Sequence, residues 1–348
     1  MASYNAPMPG ITQMRAQRLH AQASIDDAPL QMEGVDVPSS GPSEIVIEVE
    51  ACGLCRTDLH VIEGDLPPVK MPIIPGHQVV GRVVNGGDAV RRFSRGDRAG
   101  IAWLRYTDGT CPYCTRGAEN LCPNARFTGY MADGGYAEYA LVDEAFAYHI
   151  PQTVEAVQAA PLLCAGIIGY RALKRSEIKP GHRLGMYGFG ASAHVSIQVA
   201  RHWGCEVYVA TRGERHRALA REMGAVWVGN SADSPPVKLD SAIIFAPAGE
   251  LVPVALEALD RGGTLALAGI YMTDVPPLDY ERHLFYERSI RSVTANTRDD
   301  GRELLRLAAE VPIRTHVETF ALEQANDGLQ RLKHDSINGA GVLVPARG

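Results

Sequence analysis

Three short stretches carry side chains that bind metal strongly. "CGLCRTDLH" (52–60) holds Cys55, "PGHQVVG" (75–81) holds His77 and "LLCAG" (162–166) holds Cys164. Two thiolates and an imidazole form a catalytic zinc set, with a fourth position open for water or substrate. Taken singly, each residue has a plainer reading. A buried cysteine is usually a small hydrophobe, and an isolated histidine is often a hydrogen-bonded part of the core. A fourth stretch, "TDGTCPYCTRGAENLC" (107–122), spaces its thiols as Cys111-x2-Cys114-x7-Cys122. Structural zinc sites close with four ligands. The spacing therefore reads as a metal lobe one ligand short, as a redox pair with a spare thiol, or as neither.

A second chemistry sits in "LGMYGFGASA" (184–193), where Gly188 and Gly190 follow a strand and precede a helix. Glycines there permit a tight turn and let the backbone approach a pyrophosphate at the positive helix N-terminus. The third small position of this dinucleotide fingerprint is Ala193. The next strand, "EVYVA" (206–210), ends at Thr211 with Arg212 and Arg215 close behind, where an NAD enzyme places an acid for the ribose 2′-hydroxyl. A hydroxyl and two guanidiniums suit a 2′-phosphate. NADP(H) is favoured over NAD(H).

Two textures must position these residues. Up to about residue 160 the chain is β-rich, with strands expected in "EIVIEVEA" (44–51) and "GHQVVGRVV" (76–84) between Pro- and Gly-rich loops. From near residue 170 strands alternate with helices, the first helix carrying an apolar stripe of Val195, Val199 and Trp203. That alternation implies a parallel sheet covered on both faces. "SAIIFA" (241–246) and "GTLALAGI" (263–270) read as further strands. The last fifty residues contain a helix in "DDGRELLRLAAEV" and a closing strand in "GAGVLVP".

Composition narrows the function classes. A chain of 348 residues, 46% hydrophobic, makes about two domains. A formal charge of −6 argues against a nucleic-acid partner, and no apolar run approaches the roughly 20 residues of a membrane span. The opening "MASYNAPMPGITQMR" lacks the layout of a secretory leader, so a cytoplasmic address is expected. In that reducing compartment the seven cysteines are metal ligands or core residues rather than disulfides.

"GLCRTDLH", the G-H-x-x-x-G of Gly76–Gly81, "DGGYAEY" (133–139), "LLCAG" and "GFGASA" occur in the order and approximate spacing of one family. The chain resembles a zinc-dependent alcohol dehydrogenase of the medium-chain dehydrogenase/reductase superfamily, over nearly its whole length. The resemblance implies an α/β protein with a GroES-like, β-rich catalytic domain over 1–159, completed by the tail 298–348. A Rossmann domain with a doubly wound parallel sheet would span 160–297. It implies that Cys55, His77 and Cys164 hold a catalytic Zn2+, that Asp58 orients His77, and that Thr57 receives the alcohol proton. His60 would pass that proton to solvent by way of the cofactor ribose, and Arg56 would bind the pyrophosphate. Hydride would move between the alcohol carbon and the nicotinamide, in either direction, with aldehyde reduction suiting an NADP(H) preference.

The family's structural lobe reads C-x2-C-x2-C-x7-C. Its register puts Asp108 at the first ligand position, before Cys111, Cys114 and Cys122. A carboxylate is a competent zinc ligand, so the expectation is a structural Cys3Asp zinc and two zincs per chain. The alternative is a lobe without metal in which Asp108 only caps the loop. Three positions depart from the family pattern: Gln78 stands where a Glu is usual, Ile168 where many members have Thr, and Ala340 where many have Arg. Trp103 and Leu66 match positions lining the substrate channel, the indole narrowing it. Small to medium primary alcohols or aldehydes are expected as substrates, and a homodimer or homotetramer as the assembly. Cys52 matches a position where the family commonly has a cysteine that is not a ligand, and Cys205 is expected in the core. A zinc-free quinone reductase and a catalytically retired member of the fold are the competing readings, and the retained ligand set speaks against both.

Overall fold

The computed structural model of the chain describes residues 12–337 and 339–346. Residues 1–11, part of the opening read above for a leader, lie outside them. The chain divides into two compact units, one of residues 1–164, 295–310 and 314–348, the other of 165–294 and 311–313. The first boundary therefore falls between Cys164 and Ala165, later than the expected 159. The second falls at 294, before the expected 297.

The first unit opens with a hairpin of β1 (Gln13–Leu19) and β2 (Leu30–Asp36). It continues through β3 (Glu44–Gly53), α1 (Arg56–Glu63), β4 (Gln78–Gly86), β5 (Arg98–Ile101) and β6 (Leu104–Tyr106). The short helix α2 (Pro112–Thr115) follows, then β7 (Arg126–Phe127), β8 (Tyr139–Asp143), β9 (Ala147–His149) and α3 (Ala156–Ala159).

The second unit runs through α4 (Ala165–Arg175), β10 (Arg183–Tyr187), α5 (Ala191–His202), β11 (Glu206–Ala210), α6 (Glu214–Glu222) and β12 (Trp227–Gly229). It ends with β13 (Leu239–Ile244), α7 (Leu251–Ala258), β14 (Leu259–Leu267), α8 (Tyr280–His283) and β15 (Ser289–Ser292). The tail returns to the first unit as α9 (Arg298–Glu310), β16 (Val317–Ala321), α10 (Ala325–Lys333) and β17 (Ala340–Val344).

In the first unit, β17 pairs with β3, and β3 also pairs with β4 and β8, so the sequence-distant tail closes the main sheet. β3 is buried at most positions because both its faces are covered. Ile45, Ile47, Val79, Ile101 and Leu343 are among the residues of its core. In the second unit the strands run parallel in the order β12-β11-β10-β13-β14-β15. That is a doubly wound sheet whose order reverses between β10 and β13, and the loop after β10 carries Gly188 and Gly190 at that reversal.

Two local expectations shift. β4 begins at Gln78 because Gly76 lies in a turn with φ +93°. α5 ends at His202 with Trp203 as its C-cap, because Gly204 at φ +76° takes the chain out of the helix. Among the described residues no single helix is long and apolar enough to cross a membrane.

Candidate active site and metal centres

Cys55 is the N-cap of α1. Its N–H donates to Asp58 Oδ2 (2.9 Å), and its Sγ accepts the N–H of Thr57 (3.4 Å). These reciprocal bonds satisfy two orphan donors at the helix start, and they place a thiol and a carboxylate side by side. His77 follows the Gly76 turn. A Cβ at Gly76 would stand 2.3 Å from Tyr136 Cδ1, so only glycine fits. Residues 134–136 lie along 74–76 through Gly134 N–H to Ile74 O (2.7 Å), Gly135 N–H to Gly76 O (2.9 Å) and Tyr136 N–H to Pro75 O (3.0 Å). That pairing delivers the Tyr136 hydroxyl to Asp58 Oδ2 at 2.8 Å, while Asp58 Oδ1 meets His77 Nδ1 at 2.9 Å. Cys164 sits at the break between a 3-10 turn, Ala160–Leu163, and α4.

The geometry fits a zinc ion. An ionised carboxylate can only accept, so Nδ1 of His77 carries the proton and Nε2 offers its lone pair. Nε2 is buried and meets no hydrogen-bond partner among the described residues. The ligand atoms of Cys55, His77 and Cys164 lie within 4.8 Å of one another, and the two sulfurs are 3.8 Å apart. Zinc–sulfur bonds of about 2.3 Å in a tetrahedron give an edge of about that length. Electrostatics agree. With no ion at Nε2, burial would push the His77 imidazole down, but the Asp58 carboxylate and the Cys55 sulfur lift it to about 10, so a proton at Nε2 holds the place that a metal would take. The bond from Cys164, against burial and with help from His77, holds the Cys55 thiol well below its ordinary value. The bond to Cys55 and burial push the Cys164 thiol well up, so the cation-favouring charge lies on the Cys55 and Asp58 side of the pocket.

Aromatic rings flank His77. Trp103 meets it edge-on with centroids 5.0 Å apart, stacks on Phe127 at 4.9 Å and lies nearly parallel to Tyr130 at 6.1 Å. Tyr130 donates its hydroxyl to Pro67 O (2.9 Å), tying this group to the loop that carries half-buried Leu66. Thr57 is buried beside Cys55, and His60 Nδ1 stands 2.6 Å from Asp65 Oδ2. Arg56 pairs with Asp335 and also donates to Leu332 O (3.4 Å). Gln78 is buried with its amide against Gly53. Cys52 and Cys205 are buried outside both ligand clusters. The sequence reading assigned no role to Tyr136, although it quoted the "DGGYAEY" that contains it, nor to Asp65.

A second cluster joins Asp108, Cys111, Cys114 and Cys122, whose ligand atoms also lie within 4.8 Å of one another. Asp108 Oδ1 accepts the N–H groups of Thr110 and Cys111, each at 2.9 Å, and Oδ2 accepts Asn124 Nδ2 at 2.9 Å. The N–H of Cys111 first, then Asn124 and Thr110, hold this carboxyl well below the ordinary carboxylate range. Asp108 thus caps the loop and faces the thiols at once. A carboxylate has about four lone-pair sites, so these three bonds leave one for a metal. Just before Cys122, Glu119 binds Arg298 at the start of α9 through Nε (3.0 Å) and Nη2 (2.6 Å) and accepts its backbone N–H (2.7 Å).

In the second unit Gly188 has φ +88°, and a Cβ there would meet Ala246 N at 2.9 Å, which accounts for glycine at the turn. A Cβ at Gly190, the N-cap of α5, would meet nothing within 4 Å. α5 has no side-chain cap and no acid in its first turn, and Ala193 is fully buried. The helix start is therefore open to an anion. At the tip of β11, Thr211 is buried with its N–H on Gly229 O (3.0 Å), and Arg212 and Arg215 are exposed. The first acid after β11 in sequence, Glu214, is committed to Arg217 (3.0 Å) and Arg221 (2.8 Å).

Family models match twice, "Alcohol dehydrogenase GroES-like domain" over 41–152 and "Zinc-binding dehydrogenase" over 193–310. The chain is 54% identical to "Probable alcohol dehydrogenase AdhA" of Mycobacterium tuberculosis (strain CDC 1551 / Oshkosh), covering 95% of this chain and 97% of that one. A zinc-binding dehydrogenase of Sinorhizobium meliloti 1021 bound to NADP is similar at TM-score 0.83 and 28% identity, covering 96% of this chain and 99% of that one. An acetophenone reductase of Geotrichum candidum NBRC 4597 in complex with NAD is similar at TM-score 0.85 and 25% identity, covering 97% and 98%. The chain belongs to the zinc-type alcohol dehydrogenases of the medium-chain dehydrogenase/reductase superfamily.

Proposed function

We propose that this chain is a zinc-dependent alcohol dehydrogenase and aldehyde reductase acting on small to medium primary alcohols, with NADP(H) preferred. The observation that carries the reading is the buried Nε2 of His77, without a hydrogen-bond partner among the described residues, grouped with the sulfurs of Cys55 and Cys164. When bound, zinc polarises the substrate oxygen as a Lewis acid and the nicotinamide carries the hydride. Cys55, His77 and Cys164 hold the ion, and Asp58 fixes the tautomer and orientation of His77. Thr57 takes the hydroxyl proton and His60 hands it to solvent. Trp103, braced by Phe127 and Tyr130, walls the substrate side, with Leu66 leaving more room than an indole would. Gln78, a neutral amide, is a poor substitute for an incoming anionic ligand.

We assign Asp108, Cys111, Cys114 and Cys122 to a structural zinc, giving two ions per chain. Gly188, Gly190 and Ala193 frame the pyrophosphate turn. Thr211, Arg212 and Arg215 hold the 2′-phosphate, with Arg56 a further phosphate contact. Solved neighbours carry either cofactor, so the NADP preference rests on these side chains and on the ion-paired state of Glu214. A homodimer or homotetramer is supported by β15, an unpaired sheet edge with Tyr280, Phe285 and Ile290 exposed nearby. Seven free thiols suit the reducing cytoplasm.

Steady-state kinetics with NAD and NADP over alcohols from ethanol to cinnamyl alcohol test the function. Activity with NADP preferred is the expected result; a strong NAD preference removes the 2′-phosphate assignment, and no activity with any alcohol removes the function.

A further inference from the structure

We propose that Asp65 is the positioning residue for His60, holding its imidazole in the tautomer that accepts a proton at Nε2. The inference rests on the reading of His60 as the group that passes the alcohol proton to solvent.

His60 lies in the last turn of α1, which ends at Gly64 in the left-handed region (φ +92°). That turn folds the chain back on the helix end. The N–H of Leu66 donates to the carbonyl of His60 (3.1 Å). Gln22 Nε2 donates to both Val61 O (2.8 Å) and Leu66 O (2.7 Å). Asp65 is thus carried on a loop clamped to the helix it serves, with Oδ2 2.6 Å from His60 Nδ1. The His60 side chain is 16% exposed and that of Asp65 48%. The carboxylate therefore reaches a largely shielded ring from the solvent side.

An ionised carboxylate is an acceptor only. The hydrogen of this bond then sits on Nδ1, and Nε2 is the ring nitrogen that receives the proton. The imidazolium so formed lies beside the Asp65 carboxylate and returns one proton to water. Because Asp65 is half exposed, solvent screens the pair. Its loss lowers kcat by about tenfold, less than the roughly 100- to 10,000-fold effect of losing a general acid–base group itself.

Asp65→Asn, Asp65→Glu, His60→Ala and the double variant Asp65→Asn/His60→Ala are assayed for alcohol oxidation, and nitrogen-15 spectra report the His60 tautomer. His60→Ala is expected to lower kcat. Asp65→Asn is expected to lower it about tenfold at unchanged cofactor KM, with most of the loss recovered in Asp65→Glu and no further loss in the His60→Ala background. The wild-type ring is expected as the Nδ1–H tautomer, and the Asn variant as a mixture. Wild-type kcat in Asp65→Asn, an equal loss from that change without His60, or an Nε2–H ring in the wild type would each overturn the assignment of Asp65 and leave the role of His60 standing. Wild-type kcat in His60→Ala would overturn the relay itself, and this inference with it.

Discussion

The Nδ1 of His77 lies 2.9 Å from Asp58 Oδ1, and its Nε2, equally buried, meets no hydrogen-bonding group among the described residues. One nitrogen is spoken for and the other is presented to two thiols. An unpaired buried imidazole nitrogen is unfavourable unless something supplies its partner. The arrangement makes sense as half of a metal site whose orientation is set by Asp58, which is itself held by Cys55 N–H and the Tyr136 hydroxyl.

Removing that orientation has a measurable consequence. Asp58→Asn keeps the volume and loses the charge, and zinc affinity at this site falls about 10- to 100-fold. Competition with a fluorescent zinc chelator reads the change. Unaltered affinity would show that His77 is fixed by other means.

Asp108 predicts the zinc count. Asp108→Ala releases the structural ion, so metal analysis falls from two zincs per chain to one, while Asp108→Cys keeps two and holds the second more tightly, since thiolate is the softer ligand. One zinc in the wild-type protein would reduce Asp108 to a loop cap.

The grouping of Cys55, His77 and Cys164, with Asp58 beside them, was legible in the sequence for a definite reason. Cys55, Asp58, His77 and Cys164 sit in short motifs whose residue types can do little else in combination, and the strand–turn–helix around Gly188 identifies itself by pattern. Tyr136 was not legible as a partner of Asp58, because that contact depends on residues 134–136 lying along 74–76, a pairing that spacing does not encode. Asp65 was hidden by the loop that folds it back on His60. The return of the tail through β17 to β3 followed from the resemblance rather than from local pattern. The unit boundary missed by a few residues because Cys164 marks a break inside a helical stretch and not a change of composition.

For the cofactor, Arg212→Gln and Arg215→Gln each raise KM for NADP about tenfold and leave KM for NAD unchanged, as loss of a charge-assisted bond does. Equal effects on both cofactors would move these arginines away from the 2′-phosphate.

Glu119 predicts an acid sensitivity. Burial would push its carboxyl up, but the bonds from Arg298 hold it below the ordinary glutamate value of 4.5. The unfolded chain therefore binds the proton at higher pH than the folded one. The stabilisation is complete above 4.5 and drains away as pH falls through the lower folded value. Glu119→Gln costs about 2 kcal/mol near neutrality, and its deficit against wild type shrinks as the pH is lowered through that window. Thermal melts of both proteins across the acid range measure it; a deficit that does not change with pH would assign Glu119 a packing role only.

The most direct test of the central claim is the rate of alcohol-dependent NADP reduction by protein stripped of metal with a strong chelator and then given zinc back. No alcohol-dependent rate is expected without metal, and zinc is expected to restore it. An undiminished rate in metal-free protein would contradict the claim.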